Sequence, residues 1–383
     1  MKRIAVLGAG PAGGAAALTL ARAGAEIDLY HPAKAGEKPC GGAVPAHVLP
    51  RLAGFDPSPL PVVAGPEALV ENASAARIAI DLGTIRIFRR ADFDKLLADS
   101  AVAAGAKPIA AKVEALAWEE AEIRITAGGT TRAYDWVIGA DGARGRSRRS
   151  LGLEPRGESV GLGASLSGLS WQRLCLGLPD LADGYTWIFP RPGGVSVGIA
   201  YSPERLSDGA AHAALDSYLD RHLPEGWRDF PGPRYRYPIP VFGPWTLESV
   251  HQGLARRILL TGDAAAVADP LTREGIRYGM LSGIWAAESL LAGTPEAYPE
   301  RLAAELGVEM ERAASARSLF FDDPIGQWMV PVSRAHPGIR RVLADLLACR
   351  QPYRGLRRRL VRAVVSFPPP SPPRTRTPSA LAP

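Results

Sequence analysis

The N-terminal forty residues alternate between short apolar runs and a glycine-rich segment. Ile4–Leu7 is an uninterrupted apolar run, which predicts a buried β-strand. It is followed by a glycine-rich segment at 8–13, an alanine-rich helical segment at 15–23 and a second apolar run at Ile27–Tyr30. The pattern therefore predicts a strand, a tight turn, a helix and a second strand.

The turn carries the spacing Gly-x-Gly-x-x-Gly, which binds dinucleotides when a strand precedes it and a helix follows it. Gly8 permits the tight turn, Gly10 lets the backbone approach a pyrophosphate, and Gly13 lets helix and strand pack closely. Pro11 and Ala12 lie between them at the positive end of the helix dipole, where free N–H groups hold phosphates. A glycine turn without a ligand and a signal peptide are weaker alternatives, because strand and helix flank the turn and the apolar run is short.

The end of the second apolar run departs from this fingerprint. The pattern expects an acidic residue there, whose carboxylate accepts hydrogen bonds from ribose hydroxyls. Tyr30 and His31 occupy that position instead. A histidine ring nitrogen can bond a ribose hydroxyl, so both residues are candidate nucleotide contacts; alternatively, His31 only caps the strand.

The chain changes in character between residues 160 and 250, where apolar runs are short and separated by glycine and proline. The pattern predicts strands at 159–169, 186–189 and 195–201, a helix at 210–222 and a proline-rich stretch at 231–244. Residues 60–85 are expected to add another strand or two. This arrangement indicates a separate antiparallel sheet and hence a discontinuous nucleotide-binding domain.

The composition narrows the class of protein. The 383 residues are 46% apolar and 22% charged, which suits two or three globular domains with a sizeable core. Three cysteines are an odd and sparse set, which argues against a disulfide framework and for a reducing compartment such as the cytoplasm. The histidines are scattered without metal-ligand spacing, so no metal site is expected. No apolar run approaches the roughly 18 residues of a membrane span.

The positive charge is concentrated at one end of the chain. The net charge is +6, but seven arginines and no acidic residue follow position 353, so the preceding body is near neutral. No nucleic-acid partner is therefore expected. The helical segment at 355–365 has apolar valines with arginines opposite or beside them; such a helix lies on an anionic membrane or is simply solvated.

Two later motifs specify the dinucleotide by resemblance. Residues 135–142 (Asp-Trp-Val-Ile-Gly-Ala-Asp-Gly) and 258–276 each run from an apolar strand into a glycine–aspartate turn. With the N-terminal glycines, they resemble the flavoproteins built like para-hydroxybenzoate hydroxylase. The resemblance implies FAD as cofactor, with Asp141 in a turn that links two domains. The other cofactor positions that it implies are Gly262 and Asp263 near the ribityl chain and pyrophosphate, Pro270, Gly275 and Ile276 towards the pyrimidine edge, and Arg90.

Two further segments resemble one branch of these flavoproteins, the geranylgeranyl reductases. They are residues 38–45 (Lys-Pro-Cys-Gly-Gly-Ala-Val-Pro) and 185–190 (Tyr-Thr-Trp-Ile-Phe-Pro). The resemblance implies hydride transfer from reduced flavin N5 to a double bond of a polyprenyl chain, with NAD(P)H or ferredoxin as electron donor. Arg273 stands where the family usually has glycine, and it is expected to crowd the flavin entrance or to contact a phosphate of the substrate.

Candidate residues for the chemistry lie in the same two segments. Cys40, in a turn with Gly41 and Gly42, can contact substrate, tune the flavin or donate a proton; alternatively, it is a small buried residue. Tyr185 and Trp187 are candidate catalytic residues. The residues expected to bind substrate are Tyr185, Trp187 and Phe189, which face one side of a strand, and Arg273. The aromatic stripe is otherwise a sheet face packed on the core. No pattern identifies the proton donor.

The sequence therefore predicts an α/β fold: an FAD-binding, Rossmann-like, doubly wound domain, an inserted antiparallel β-sheet substrate domain and a C-terminal helical segment. The expected bounds are 1–60, 86–158 and 251–319 for the FAD domain, 61–85 and 159–250 for the substrate domain, 320–366 for the helices and 367–383 for a disordered tail. A flavin monooxygenase or halogenase acting on an aromatic or polyketide substrate, and a non-catalytic flavin electron carrier, are the alternative functions.

Overall fold

The computed structural model describes residues 2–32, 36–65, 67–119, 122–154, 156–179, 183–321 and 325–366. Within these ranges the strands are β1 (Ile4–Leu7), β2 (Ile27–Tyr30), β3 (Ala43–Pro45), β4 (Val63–Ala64), β5 (Glu67–Asn72), β6 (Arg77–Asp81), β7 (Ile85–Ile87), β8 (Lys107–Ile109), β9 (Val113–Glu119), β10 (Glu122–Ala127), β11 (Thr130–Tyr134), β12 (Trp136–Gly139), β13 (Glu158–Ser167), β14 (Leu174–Leu178), β15 (Gly184–Arg191), β16 (Gly194–Tyr201), β17 (Arg234–Pro240) and β18 (Ile258–Leu260). The helices are α1 (Pro11–Arg22), α2 (Arg90–Ala103), α3 (Arg146–Ser150), α4 (Asp208–His222), α5 (Pro244–Ala255), α6 (Ile276–Leu291), α7 (Ala297–Leu302), α8 (Val308–Phe321), α9 (Ile325–Ala335), α10 (Pro337–Leu347) and α11 (Leu356–Ser366).

A five-stranded parallel sheet in the order β18-β12-β1-β2-β8 forms the first layer. Ile4 pairs with Ile27 on one side and with Trp136 on the other, so the uniformly apolar β1 lies at the centre of the sheet. Such runs are typical of parallel strands buried on both faces. Helix α6 packs closely on α1. A Cβ at Gly283 of α6 would lie only 2.1 Å from the Ala12 carbonyl oxygen of α1, so this contact requires glycine. The strand–turn–helix–strand prediction is confirmed.

A seven-stranded sheet in the order β17-β13-β16-β15-β14-β5-β6 forms the second unit. Its neighbouring strands are antiparallel, except for the parallel pair β14–β5. The expected strands near 60–85 include β5 and β6, which join this sheet at one edge. The α/β fold class with an inserted antiparallel sheet is confirmed.

Several parts of the sheet structure were not predicted, among them the sheet β11-β10-β9 and strand β17. The three-stranded sheet β11-β10-β9 packs on the first core through Ile123 and Ile125 of β10. The proline-rich stretch at 231–244 contains β17, in which Pro238 and Pro240 pair with β13. Because β17 is the edge strand of this sheet, the prolines, which lack an N–H group, disrupt no hydrogen bonding to a further strand.

The C-terminal helices cover the edge of the seven-stranded sheet that β5 and β6 form. Val330 of α9 and Leu343 of α10 belong to one apolar cluster with Val70 and Ile80 of these strands. Helix α10 ends at Leu347, and Cys349 beyond it has φ +53°. The expected tail at 367–383 lies outside the described residues.

Candidate functional site

The glycine turn between β1 and α1 is crowded on its protein side and open at Gly10. Gly8 has φ +96°, and a Cβ there would lie 2.5 Å from the Ala140 carbonyl oxygen. A Cβ at Gly13 would lie 1.8 Å from the Gly8 carbonyl oxygen. A Cβ at Gly10 would meet no atom closer than 3.9 Å. Gly8 and Gly13 are therefore required by packing, whereas Gly10 faces open space at the start of the helix.

A cavity of about 1130 Å³, counted out to its open mouth, begins at this turn and is called the first cavity. Its wall joins segments that are far apart in the sequence. The expected cofactor residues that line it are Gly10, Pro11, Ala12, Cys40, Gly41, Arg90, Gly262, Asp263, Gly275 and Ile276. The chain thus brings most of the expected cofactor positions to one cavity.

Asp263 supplies an open acceptor to the first cavity. It follows β18 in a turn where Gly262 has φ +58°. Burial raises the pKa of the Asp263 carboxyl, and the charges of Lys38 and Arg90 oppose that rise. Among the described residues, nothing donates a hydrogen bond to this carboxylate. A buried acceptor of this kind suits the hydroxyl groups of a ribityl chain.

Arg90 lines the first cavity but is already paired. Its guanidinium donates two hydrogen bonds to Asp94, at 2.9 and 2.8 Å. The backbone N–H groups of Arg90 and Ala91 donate to the Glu37 carboxylate, which also pairs with Arg191 at 2.7 Å. The arginine therefore anchors the start of α2 at the cavity wall.

Tyr30 and His31 do not line the first cavity. Tyr30 is 2% exposed, and its hydroxyl lies 2.7 Å from that of Tyr134, which in turn donates to Asp28. The ring Nδ1 of His31 lies 3.0 Å from the Pro32 carbonyl oxygen. The phenol of Tyr30 therefore faces the core and the ring of His31 bonds locally, and the nucleotide contact expected of these two residues stays a prediction.

Asp141 and Pro270 shape the turns behind the cavity and do not line it. The Asp141 carboxylate accepts hydrogen bonds from the backbone N–H of Ser147, at 3.0 Å, and from its hydroxyl. Pro270 is buried after Asp269, whose carboxylate accepts the Leu271 N–H at 2.8 Å. The hydrogen bonds of Asp141 and Asp269 thus fix the backbone of these turns, and a cofactor contact of Asp141 or Pro270 stays a prediction.

Cys40 lies in a tight turn between two cavities. Its Sγ accepts the Gly42 N–H at 3.3 Å, and its carbonyl oxygen accepts the Ser196 hydroxyl at 3.1 Å. Gly42 has φ +75°, and a Cβ there would lie 2.2 Å from the Phe88 carbonyl oxygen. A Cβ at Gly41 would lie 2.6 Å from the ring of Phe189. The two glycines therefore hold the thiol in place in the wall.

The aromatic stripe of β15 is a wall of the first cavity. Tyr185, Trp187 and Phe189 all line it, with successive ring centroids 6.3 and 6.4 Å apart. The Tyr185 hydroxyl donates to the Thr272 carbonyl oxygen at 2.6 Å. The Trp187 indole N–H donates to the Ser196 hydroxyl at 3.2 Å. The polar groups at the ends of two rings are thereby satisfied, and the ring faces are left for ligand contact.

A second cavity of about 1410 Å³ shares Cys40, Tyr185 and Phe189 with the first. Its wall is mainly aliphatic and comes from the seven-stranded sheet and the C-terminal helices. The aliphatic side chains that line it are Val70, Ile80, Leu82, Ile85, Leu174, Leu176, Leu178, Met329, Val330, Leu343, Leu346 and Leu347. The fold thus places an apolar chamber beside the expected cofactor cavity.

Arg273 lines both cavities, and its guanidinium is paired within the protein. Its Nη2 donates to Asp183 at 2.5 Å, and both side chains are almost wholly buried. Arg317 pairs with the other oxygen of the same carboxylate. The guanidinium also lies 5.8 Å from the ring centroid of Tyr185. Asp183 thus holds the guanidinium at the wall of both cavities, and the phosphate contact expected of Arg273 stays a prediction.

The sequence alone missed several residues of the two cavities. Tyr235 and Tyr237 of β17 line the first cavity, and the buried Tyr235 hydroxyl has no partner among the described residues. Glu274 lines the second cavity. Alternating tyrosines were a usable signal for β17, but the prolines beside them obscured the strand.

The residues present fit an FAD in the first cavity. The open N-terminus of α1 at Gly10 suits a pyrophosphate. The unpartnered Asp263 carboxylate suits sugar hydroxyls, and the exposed Lys38 adds a positive charge near it. Gly275 and Ile276 begin α6 at the same wall, so their backbone can approach a planar ring.

Residues 2–159 match the family described as pyridine nucleotide-disulphide oxidoreductase. The menaquinone reductase of Mycobacterium tuberculosis is 30% identical over 324 residues, which cover 75% of this chain and 76% of that protein.

Two further similarities extend the comparison. The chloroplastic geranylgeranyl diphosphate reductase of Nicotiana tabacum is 28% identical over 326 residues, or 76% of this chain; the match spans 66% of that longer protein, a little under two thirds. A geranylgeranyl bacteriochlorophyll reductase-like protein from Thermoplasma acidophilum has the same fold. Its crystal structure aligns with a TM-score of 0.72 at 21% identity, covering 94% of this chain and 99% of that one.

Proposed function

This chain belongs to the geranylgeranyl reductase family of FAD-dependent oxidoreductases, and we propose that it reduces carbon–carbon double bonds of a polyprenyl chain. The observation that carries the proposal is the aliphatic second cavity, which shares Cys40, Tyr185 and Phe189 with the first cavity. A polyprenyl substrate in the second cavity would therefore contact residues that also line the first cavity, where we expect FAD to bind.

Bound FAD, when reduced, supplies the hydride for such a reaction. The protein's own contribution is to hold the substrate in a dry position. Burying one five-carbon isoprenoid unit is worth about 4 kcal/mol, at about 0.8 kcal/mol per carbon. The aliphatic wall thus provides binding energy that does not depend on the headgroup of the substrate.

The residues that line both cavities would orient the substrate; they include Cys40, Tyr185 and Phe189. Tyr185 is held by Thr272 and lies against the Arg273 guanidinium, so its ring has a fixed plane. Burial raises the pKa of the Tyr185 hydroxyl, so this group stays neutral. With Cys40 and Phe189 it forms a rigid surface, and rigid positioning is what lowers the barrier of a reaction between two bound partners.

The source of electrons is a finer part of the proposal. We expect NAD(P)H or a ferredoxin-type iron–sulfur protein to reduce the FAD, as the resemblance to the family implies. Anaerobic mixing with each donor in turn, followed by flavin absorbance, distinguishes the two.

We also propose that α11 brings the protein to an anionic membrane surface, from which a polyprenyl substrate can enter. The side chains of Val361 and Val365 are exposed, at 63% and 76%. Arg357, Arg358 and Arg362 are exposed on the same helix. No helix in the described ranges is long and apolar enough to cross a bilayer. Contact through a surface helix that combines valines with arginines is the mode that this composition supports.

The reductase is distinguished from its alternatives by the reoxidation of the reduced flavin. Stopped-flow mixing of the anaerobically reduced protein with geranylgeranyl diphosphate is expected to restore the oxidised flavin spectrum. Reoxidation by oxygen alone, with substrate turnover, would instead indicate a monooxygenase or halogenase. Reoxidation only by a partner protein would indicate an electron carrier.

A further inference from the structure

Glu274 lies in the wall of the second cavity and has an unusual carboxyl group. It lies just before α6, and its Oε1 accepts the Arg277 backbone N–H at 2.7 Å. Its Oε2 is inaccessible to solvent and has no hydrogen-bond partner among the described residues. Glu274 lines the aliphatic cavity and does not line the first cavity. An ionised oxygen without a partner in such a place is costly, so the group favours its protonated form.

We propose that Glu274 is the proton donor of the reduction; this inference rests on the proposed function. In the balanced step, the π bond of the alkene opens, and one carbon takes the hydride that a dihydroflavin supplies. The other carbon takes the proton of the Glu274 carboxyl, whose O–H bond breaks. The saturated product has gained one hydride and one proton, and the remaining carboxylate regains a proton from solvent before the next cycle.

The surroundings of Glu274 suit a proton donor near neutral pH. Burial raises its pKa to about 7, against the opposing effects of the Arg277 N–H and guanidinium. The titratable groups that face it from the elements around it are Asp269, Tyr278, Cys349 and Tyr185. An acid with a pKa near the working pH gives the best compromise between being protonated and giving up its proton.

The other groups on the cavity wall are weaker candidates. The Tyr185 hydroxyl already donates to Thr272, and burial raises its pKa. Burial also raises the pKa of the Cys349 thiol. Asp269 accepts hydrogen bonds from two backbone N–H groups and from the Tyr353 hydroxyl, so both of its oxygens are engaged. Glu274 combines a place in the cavity wall with a buried oxygen that has no partner among the described residues.

The experiment compares Glu274→Gln and Glu274→Asp with the wild type, each loaded with FAD. The control is Glu288→Gln on α6, an exposed glutamate that pairs with Arg301 on the surface. Anaerobically reduced protein is mixed with geranylgeranyl diphosphate across a range of pH, and separately with ferricyanide, which takes electrons without needing a proton. Infrared difference spectra with labelled glutamate report directly whether a carboxyl group is protonated.

For Glu274→Gln we expect reduction of the prenyl substrate to slow by about 10²- to 10⁴-fold. Reoxidation by ferricyanide, the FAD content and the control variant should remain as in the wild type. The wild-type rate should fall as the pH rises through about 7. Glu274→Asp should keep part of the rate, and the protonated-carboxyl band should vanish in Glu274→Gln.

The proposal is overturned if Glu274→Gln binds FAD and reduces the prenyl substrate at the wild-type rate with the wild-type pH profile. If Glu274→Gln does not fold, an unchanged rate and pH profile in Glu274→Asp, together with no protonated-carboxyl band in the wild type, overturns it equally. Failure of the proposed function looks different: the wild type itself then reduces no prenyl compound, although ferricyanide still oxidises its flavin.

Discussion

Gly13 lies where α1 passes over the turn that precedes it, and its lack of a side chain decides whether the first cavity can form. A Cβ there would lie 1.8 Å from the Gly8 carbonyl oxygen, a backbone atom that cannot move away cheaply. Packing of this kind is a property of single residues, and it was readable from the sequence because the glycine spacing is local.

Gly13→Ala is therefore expected to lose FAD and to destabilise the protein by about 1–3 kcal/mol or more. Gly209→Ala is the matched control, because Gly209 lies in α4 and a Cβ there meets no atom within 4 Å. Flavin absorbance of the purified proteins and urea unfolding measure both effects. Normal FAD content in Gly13→Ala would contradict the packing argument.

The buried ion pair between Arg273 and Asp183 makes a second residue-scale prediction. Asp183→Asn removes the charge but keeps the shape, and it leaves the buried Arg273 guanidinium without a counter-ion. Breaking a buried pair in this way costs about 3–5 kcal/mol. Asp220→Asn, which breaks an exposed pair with Arg228, should cost less than about 1 kcal/mol. Equal free energies of unfolding for the two variants would show that Arg273 does not depend on Asp183.

At the scale of elements, α9 and α10 determine the second cavity by covering β5 and β6. Leu347, at the end of α10, lines this cavity and is not part of the first. The sheet and the helices must therefore pack together before a polyprenyl site exists. The first cavity depends on other elements, chiefly β1, α1 and the start of α6.

Leu347→Trp should fill part of the second cavity and slow reduction of geranylgeranyl diphosphate by about tenfold, the effect of 1.4 kcal/mol. Leu291→Trp is the control, because Leu291 ends α6 and is 42% exposed. FAD content should be unchanged in both. An unchanged rate in Leu347→Trp would place the substrate elsewhere.

The elements also show which parts of the structure sequence patterns can predict. Strand β1 and the glycine turn were predictable because apolar periodicity and the turn's conformational needs are local. Most of the predicted cofactor positions line the first cavity, but Tyr30 does not. The direction of its side chain is set by Tyr134, more than a hundred residues away in the sequence.

Long-range pairing explains the remaining differences. The C-terminal helical region was predicted from the sequence, but the strands on which α10 packs were not. The pairing of Arg273 with Asp183, the residue just before β15, joins segments about ninety residues apart and left no signal in the sequence. Glu274 escaped notice because a single glutamate before a helix has no distinctive pattern; only the cavity around it makes it unusual.

At the scale of the whole molecule, the charge asymmetry suggests how the protein meets its substrate. A triple variant with glutamine in place of Arg357, Arg358 and Arg362 should bind anionic vesicles more weakly, by about 3 kcal/mol. This figure follows because each positive charge near the membrane surface contributes about 1 kcal/mol. The matched control replaces the same arginines by lysine and keeps the charge. Vesicle co-sedimentation that does not distinguish the two triple variants would remove α11 as a membrane contact.

The central claim is that the second cavity holds a polyprenyl chain whose double bonds are reduced. Its most direct test is mass spectrometry of geranylgeranyl diphosphate after a single anaerobic turnover with the reduced protein. The account predicts a product heavier by two hydrogen atoms for each double bond reduced, formed in proportion to the flavin oxidised. An unaltered substrate mass, or a product that has gained oxygen or halogen when air and halide are admitted, would contradict it.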